Sequence, residues 1–375
     1  MLKTLFSKAK ISLLTLAFLG TSFSTINVSA ATTNSKPKLN DMSAQQVVDD
    51  MKVGWNLGNT LDASPDETSW GNPKTTQAMI DQIKKAGFNT VRIPVSWASH
   101  IGAGPKYNID KAWLNRVQDV VDYAIKDDMY VILNTHHETS WVVPTYAKEA
   151  ASTDELTKVW TQIATRFRNY NNRLILETLN EPRVVGSPEE WSGGTPETRD
   201  VINHFNLAAV NAIRNTGSKN ATRFIMVPTN GASTATAAMN DLKIPNNDKR
   251  VIVSLHAYSP YFFAMDTDAN GISTWGSQAD KDELDGEFDA IYNKFVKNGQ
   301  AVVMGEFGSI NKNNEASRVA HANYYVSAAR KRGITPIWWD NGPSKAGADS
   351  FGIFDRNNLT WVFPDIAKAL VSGAK

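Results

Sequence analysis

The chain has 375 residues, of which 42% are hydrophobic and 21% are charged, and its formal net charge is +1 at pH 7. A charge this close to zero excludes the strongly basic surfaces that bind nucleic acid or anionic membranes, and we expect neither as a partner. The sequence contains no cysteine, which excludes disulfides and thiolate metal sites, so core packing has to provide the stability.

The N-terminal residues have the pattern of a secretory signal peptide. Residues 1–10 carry three lysines, residues 11–18 are apolar, and Val28-Ser29-Ala30 is a small-residue cleavage site. The apolar run is too short to span a membrane. We therefore expect a secreted, extracellular protein cleaved near Ala30, with an amphipathic helix as the alternative for residues 1–30. The polar residues 31–42 predict a flexible leader before a folded domain at residues 43–375.

From residue 43 onward, apolar runs typical of buried strands alternate with longer amphipathic runs typical of helices. Ser43 is a predicted N-cap for a short helix that ends at Met51. The predicted strands lie at residues 53–57, 90–95, 130–135, 174–179, 223–228, 251–257, 301–307 and 335–339. The predicted helices lie at residues 76–86, 111–127, 155–170, 199–216, 233–241, 286–297, 315–332 and 364–371.

Eight such β/α units without a linker predict a single-domain α/β protein with the (β/α)8 TIM-barrel fold. The alternative is a doubly wound open sheet. That alternative is disfavoured because no glycine-rich phosphate loop follows the first predicted strand.

Two glutamates lie at the carboxyl ends of predicted buried strands. The apolar run 174–179 leads towards Glu181 and Pro182, and the strand should stop there because proline cannot donate to a sheet. Glu306 lies at the end of the seventh predicted strand. A carboxylate in such a position is costly unless it is paired or used. Since the carboxyl ends of barrel strands form the active face, both glutamates are predicted to meet at the barrel mouth.

Paired carboxylates across a barrel mouth are suited to glycoside hydrolysis. One has to be protonated to donate to the leaving oxygen, and the other has to be ionised to attack the anomeric carbon. The alternative for both is a buried ion pair with arginine or lysine. Packing alone does not explain why further polar and aromatic residues concentrate at or near the same strand ends: Asn56, Arg92, His136, His137, His256, Tyr258 and Trp339.

Together these segments resemble glycoside hydrolase family 5 of clan A, a large family of retaining cellulases with a (β/α)8 fold. The resemblance depends on Asn180-Glu181-Pro182, Gly305-Glu306-Phe307-Gly308, Arg92, His136, His256, Tyr258 and Trp339. Residues 54–62 and 180–186 are similar to the branch that contains clostridial-type endoglucanases, which includes cellulases, lichenases and xyloglucanases. The resemblance covers essentially the whole chain after the predicted signal peptide.

The resemblance implies a role for each catalytic candidate. Glu181 would be the general acid/base, and Glu306 would be the nucleophile. Arg92 would hydrogen-bond Glu306 and keep it ionised. Tyr258 would also contact Glu306, and His256 would lie near both carboxylates. As retention requires, the two carboxyl groups should lie about 5–5.5 Å apart.

The resemblance also implies sugar contacts. Asn180 would bind the sugar 2-hydroxyl group, while His136 and Trp339 would bind and stack the sugar on the non-reducing side of the cleaved bond. His137, Trp70 and Asn56 are further candidates for the site. Tryptophans also occur in or beside predicted post-strand loops, and we expect at least two of them to line the cleft: Trp70, Trp97, Trp141, Trp191 and Trp275.

Three further polar residues have structural interpretations. Glu177 lies inside the fourth predicted strand and is predicted to be the buried partner of a cation. Asp340 and Asn341 follow the eighth predicted strand, where they would either reach sugar hydroxyls or pack. We predict no metal and no cofactor, because the histidines lack the spacing of a helical zinc motif and the proposed chemistry needs no ion.

The sequence therefore predicts a secreted retaining endo-β-1,4-glucanase that acts on cellulose-type β-glucan as a monomer. Within the family, xyloglucanase, mixed-linkage β-glucanase and mannanase stay open as alternatives, because loop shape and cleft width decide among them. A hypothesis of a different class is a non-catalytic polysaccharide-binding barrel. The presence of both glutamates disfavours that hypothesis.

Overall fold

The computed structural model describes residues 39–375. Eight parallel strands form a closed barrel in which each strand pairs with the next along the chain and the last pairs with the first. The strands are β1 (Gly54–Leu57), β2 (Thr90–Ile93), β3 (Tyr130–Asn134), β4 (Leu174–Glu177), β5 (Ile225–Pro228), β6 (Val251–His256), β7 (Val302–Phe307) and β8 (Ile334–Asp340). The predicted (β/α)8 fold is confirmed.

Helices cover the outside of the barrel and connect its strands. In chain order they are α1 (Ala44–Met51), α2 (Gln77–Ala86), α3 (Lys111–Lys126), α4 (Tyr146–Phe167), α5 (Pro196–Asn215), α6 (Thr236–Asp241), α7 (Tyr261–Ala264), α8 (Gln278–Lys294), α9 (Glu315–Lys331) and α10 (Pro364–Gly373). A small antiparallel ribbon of β9 (Phe354–Asp355) and β10 (Thr360–Trp361) lies between β8 and α10.

Two helices begin well before their predicted first residues. α4 begins at Tyr146 rather than at residue 155, and it runs through Ser152, whose hydroxyl donates to the Trp141 carbonyl instead of capping a new helix. α8 begins at Gln278 rather than at residue 286. A capping box fixes this start, because Ser277 and Asp280 satisfy each other's backbone amides.

The first helix closes the floor of the barrel. Ser43 caps α1 as predicted, in a capping box with Gln46. The buried face of α1, which includes Val47 and Met51, packs in one apolar cluster with side chains such as Phe224 from the barrel interior. Residues 39–41 form a 3₁₀ helix, and Met42 is buried in the same cluster. Residues 39–42, the last part of the predicted leader, therefore belong to this floor.

The predicted signal peptide, residues 1–30, and residues 31–38 of the predicted leader lie outside the described residues. Within residues 39–375, no helix has both the length and the apolar character needed to cross a membrane. The signal peptide at residues 1–30 and the leader at residues 31–38 therefore stay predictions.

Side chains inside the barrel change from apolar at the floor to polar at the mouth. The apolar layers share one cluster with α1 and contain Ile132, Ile175, Met226, Ile252, Val303 and Ile337. The polar layer above them is fully buried and contains Asn56, Arg92, Asn134, Glu177 and Ser254. Alternate strand residues point outward and pack against the helices. The polar layer therefore supports the side chains at the barrel mouth from below.

Candidate active site

Glu181 and Glu306 meet at the carboxyl end of the barrel. One carboxylate oxygen of each lies within 4.8 Å of the other and of a ring nitrogen of His256. Both side chains are mostly buried, with exposed side-chain fractions of 16% for Glu181 and 6% for Glu306. Two carboxyl groups this close, in one partly dehydrated site, can divide acid and base roles between them.

A β-bulge in β7 points Glu306 into the mouth. Leu255 pairs with Met304, but His256 pairs with Glu306, so β7 carries one additional residue at Gly305. Strict alternation would place Glu306 on the same face as Met304, which packs in the cluster outside the barrel. The bulge reverses that orientation. Only glycine fits at position 305, because a Cβ atom there would lie 2.9 Å from His256 Nε2.

Arg92 is fully buried and connects four side chains of the site. Its Nη1 donates to Glu306 Oε1 at 2.8 Å and to Asn56 Oδ1 at 3.0 Å. Its Nε donates to Glu177 Oε2 at 2.8 Å, and its Nη2 donates to Asn180 Oδ1 at 2.6 Å. Burial opposes the charge, but the two carboxylates outweigh it and raise the pKa of Arg92. The prediction that Glu177 is the buried partner of a cation is confirmed.

The two asparagines beside Arg92 have different functions. Asn56 is fully buried, and its amide donates to the Gly305 carbonyl at 2.9 Å. Asn56 therefore holds Arg92 and the bulge from below, and its place is beneath the sugar cleft rather than in it. Asn180 lies higher, shortly after the end of β4. Because its Oδ1 already accepts from Arg92, its NH₂ group remains to donate to a ligand.

Tyr258 and His136 approach Glu306 from two other sides. The Tyr258 hydroxyl donates to Glu306 Oε2 at 2.8 Å. Burial, with the nearby carboxylates, raises the pKa of Tyr258 well above its usual value, so the phenol keeps the proton that it donates. The Phe351 ring lies behind Tyr258, 5.4 Å between ring centroids. His136 Nε2 lies 4.0 Å from Glu306 Oε1. Glu306 thus has donors on both carboxylate oxygens.

Glu181 has a different set of partners. His256 Nδ1 lies 2.8 Å from Glu181 Oε1 and 3.7 Å from Glu306 Oε2, so this ring bridges the two carboxylates. Arg183 Nη1 lies 3.7 Å from Glu181 Oε2. Burial alone raises the pKa of Glu181, but His256, Arg183 and Arg92 together outweigh burial and lower it.

The sugar-binding candidates lie side by side at the mouth. The His136 ring is parallel to the Trp339 ring, with an interplanar angle of 1° and 5.8 Å between centroids. His137 meets the His136 ring edge-on at 4.4 Å, and Trp70 lies 5.5 Å from His137. Trp70 is 44% exposed, whereas Trp339 is only 9% exposed. These rings form an aromatic wall that can stack against sugar faces.

Asp62, His136 and His137 bring three potential metal-ligand atoms within 4.8 Å of one another. The hydrogen bonds of Asn134 decide what His136 offers. Asn134 Oδ1 accepts from the Val95 amide, so its NH₂ group is the one that lies 3.1 Å from His136 Nδ1. His136 Nδ1 is therefore an acceptor, and the ring proton is on Nε2. The cleft receives a hydrogen-bond donor from His136, which suits a sugar oxygen better than a metal ion.

Comparison with known proteins agrees with this geometry. Residues 51–345 match the family model described as cellulase (glycosyl hydrolase family 5). The chain belongs to glycoside hydrolase family 5. It is therefore a glycoside hydrolase, of the endoglucanase type found in clostridia. This family 5 enzyme is similar to Endoglucanase B of Clostridium cellulovorans, with 58% identity over 371 residues that cover 98% of this chain and 84% of that protein.

Two solved structures are close neighbours of this family 5 enzyme. A broad-specificity GH5-4 endoglucanase from Clostridium acetobutylicum is 74% identical, with a TM-score of 0.87, covering 88% of this chain and 100% of that chain. A xyloglucan-specific endo-β-1,4-glucanase from a metagenomic library, solved with cellotriose, is 40% identical with a TM-score of 0.84. That match covers 87% of this chain and 97% of the other.

Several candidates lie away from the cleft of this family 5 enzyme. Asp340 is fully buried and pairs with Arg356 at 3.1 Å, and Asn341 hydrogen-bonds the backbone of the following loop. Both are structural, so the suggestion that they reach sugar hydroxyls is wrong.

Trp97 is a fully buried core residue, and Trp275 packs among the outer helices against His321. Trp70 and Trp191 are exposed, and they lie beside His137 and over the Arg183 guanidinium, respectively.

Other residues of the site were missed from the sequence. Asn134 and Ser254 each lie two residues before a recognised histidine, so strand alternation could have identified both as inward-facing. Glu138 is buried and accepts hydrogen bonds from the Trp97 amide and the Trp141 indole, each at 2.6 Å. Burial raises the pKa of Glu138 to about 7. The only sequence signal for it was its position at the end of the third strand.

Replacement of Arg92 by methionine is expected to lower the free energy of unfolding by about 3–5 kcal/mol, because Glu177 would be left buried without its cation. Urea unfolding of the purified protein measures this value. Lys158→Met is the control, because Lys158 forms an exposed pair with Asp154 and its removal should change stability little. A loss no larger than that of the control would contradict the coupling of Arg92 and Glu177.

Proposed function

We propose that this family 5 enzyme is a secreted endo-β-1,4-glucanase that cleaves internal bonds of cellulose-type β-glucans by double displacement with retention. The observation that carries the proposal is the close approach of Glu181 and Glu306, whose nearest oxygens lie within 4.8 Å. Inverting enzymes need about 6.5–9.5 Å between the carboxyl groups to hold a water, and retaining enzymes about 5–5.5 Å. Secretion is proposed from the signal-peptide pattern of residues 1–30.

In the first step, Glu181 donates its proton to the glycosidic oxygen while Glu306 attacks the anomeric carbon. The bond to the leaving sugar breaks as the ester bond to Glu306 forms. Arg92 and Tyr258 fix the attacking carboxylate, since each donates to a different oxygen of Glu306. The NH₂ group of Asn180 is placed to bind the 2-hydroxyl group of the sugar, a contact that strengthens in the transition state.

In the second step, Glu181 removes a proton from water, which attacks the anomeric carbon and releases Glu306. Esterification removes the negative charge of Glu306 from the site, and Glu181 then binds its proton less tightly. His256 can stay in contact with Glu181 while the charge of Glu306 changes, because its Nδ1 lies near an oxygen of each carboxylate. Two displacements at the same carbon return the β configuration.

Specificity for several β-glucans is the second candidate function. The relative from C. acetobutylicum, at 74% identity, is a broad-specificity endoglucanase, and a more distant neighbour is xyloglucan-specific. The partly exposed rings of Trp70 and Trp191 favour this possibility, because stacking on a sugar face tolerates differences in linkage and branching.

A substrate panel tests the proposed function. We expect reducing-sugar release from carboxymethylcellulose, and from xyloglucan and barley glucan if the specificity is broad, with less from mannan. Proton NMR of the first product should show the β-anomer before mutarotation. Release from none of the four polysaccharides would overturn the proposal, and an initial α-anomer would overturn retention. Purified Glu306→Gln protein gives the background rate.

A further inference from the structure

Arg183 is held beside Glu181 by hydrogen bonds of its guanidinium and by a covering aromatic ring. Nη1 donates to the backbone carbonyl of Glu181 at 2.9 Å and lies 3.7 Å from Glu181 Oε2. Nε donates to Glu190 Oε1 at 2.9 Å, and the other oxygen of Glu190 accepts from the Gly186 amide at 2.7 Å. The Trp191 ring covers the guanidinium at 4.0 Å. The loop after β4 therefore folds back to place one cation next to the proposed acid/base.

The charged and titratable groups around Glu181 come from several strand ends: Arg92, His136, His137, Arg183, His256, Tyr258 and Glu306. Of the two arginines, Arg92 lies between the carboxylates of Glu177 and Glu306, which compensate its charge. Arg183 is paired with Glu190 through Nε, while its Nη1 is directed at Glu181. Arg183 is thus the cation whose charge acts most specifically on Glu181.

We propose that Arg183 is a positioning residue that stabilises the ionised form of Glu181 and so sets the pH range in which Glu181 can exchange its proton, with Glu190 and Trp191 holding the guanidinium in place. The inference deepens the proposed function and rests on it. The second step depends on it most, because Glu181 has to be ionised to take a proton from water.

The direction of the effect follows from charge. The alkaline limb of kcat/KM reports loss of the proton of Glu181 in the free enzyme. Removal of a cation near Glu181 destabilises its deprotonated form, so Glu181 keeps its proton to higher pH. We therefore expect Arg183→Met to move the alkaline limb upward by about 0.5–1 pH unit, the effect of one partly solvated charge at this distance.

Glu190 provides a test of opposite sign. In Glu190→Gln the charge of Arg183 is kept and its compensating anion is removed, so the positive potential at Glu181 increases. The alkaline limb should then move downward. A role of Arg183 in loop structure alone would give both variants the same fall in rate at every pH, without opposite shifts.

The experiment is a kcat/KM–pH profile on a soluble cello-oligosaccharide for wild type and four variants. Arg183→Lys keeps the charge and should retain the wild-type limb. Arg214→Met is the matched control, because Arg214 also pairs with one carboxylate and one backbone carbonyl and has a similar side-chain exposure, 15% against 18%. The acid limb should move less in all variants, because Arg92 rather than Arg183 contacts Glu306.

Opposite shifts of the alkaline limb in Arg183→Met and Glu190→Gln, with no shift in Arg183→Lys or Arg214→Met, support the inference. An alkaline limb that stays in place in Arg183→Met overturns it. If Arg183→Met does not fold, the limb of Glu190→Gln decides alone, and absence of a downward shift overturns the inference. A wild-type protein without activity on any β-glucan overturns the proposed function instead.

Discussion

Replacement of Glu306 by glutamine should lower kcat/KM on β-glucan by several orders of magnitude, because an amide cannot form the glycosyl ester. The loss should be nearly independent of the leaving group, since the attacking group itself is absent. The fold should be retained, because glutamine has the size of glutamate and its one oxygen can still accept from Arg92, while its NH₂ group can donate to the Tyr258 hydroxyl. Steady-state kinetics on cello-oligosaccharides measure the loss, and unfolding midpoints check the fold.

A direct test of the ester is covalent trapping. A 2-fluoro cellobioside with a good leaving group should label wild-type protein on the peptide that contains Glu306, and the Glu306→Gln variant should stay unlabelled by mass spectrometry. Glu149→Gln is the control, because Glu149 lies on the outer helix α4 and pairs with His204 of α5. Normal turnover by Glu306→Gln, or a label on another peptide, would end the assignment of the nucleophile.

Replacement of Glu181 by alanine should lower the rate on β-glucan by roughly 10²–10⁴-fold, the usual contribution of a general acid/base. The result should depend strongly on the leaving group. The dinitrophenolate group of a dinitrophenyl cellobioside leaves without protonation, so the first step should stay fast. The second step, hydrolysis of the glycosyl-enzyme, should become rate-limiting. Stopped-flow measurement should therefore show a burst of dinitrophenol followed by slow turnover.

Azide distinguishes the two glutamates further. In Glu181→Ala, azide can replace water without a general base, so turnover should recover and give the β-glycosyl azide. In Glu306→Ala, azide would occupy the place of the nucleophile and give the α-glycosyl azide. The same anomer from both variants would contradict their assigned roles.

The fold was predictable because each of the eight buried strands appears in the sequence as an apolar run and each helix as a longer amphipathic run. Ser43 also indicated where α1 begins, whereas β4 ends at Glu177, well before the predicted stop at Pro182. The start of α8 was readable from the Ser277 capping box, although the predicted helix began only at residue 286. The start of α4 was less accessible, since the role of Ser152 depends on a tertiary contact with the Trp141 carbonyl.

The candidate site was predictable where residue type and strand position agree. Arg92 on β2 and Glu177 on β4 both point into the barrel from the two sides of β3, and their pairing follows from that position. Glu306 was located by its motif, whereas alternation along β7 would have placed it outside. Arg183 was visible in the sequence but had no assigned role, because its importance comes from a loop that folds back and pairs it with Glu190.

The extra residue in β7 limits how this chemistry could be moved to another scaffold. A barrel with strictly alternating strands could carry the same amino acids in the same order and still turn the attacking carboxylate towards the surrounding helices. Protein designers who transplant the two acids therefore need the irregular strand as well, together with the glycine that gives the neighbouring imidazole its room.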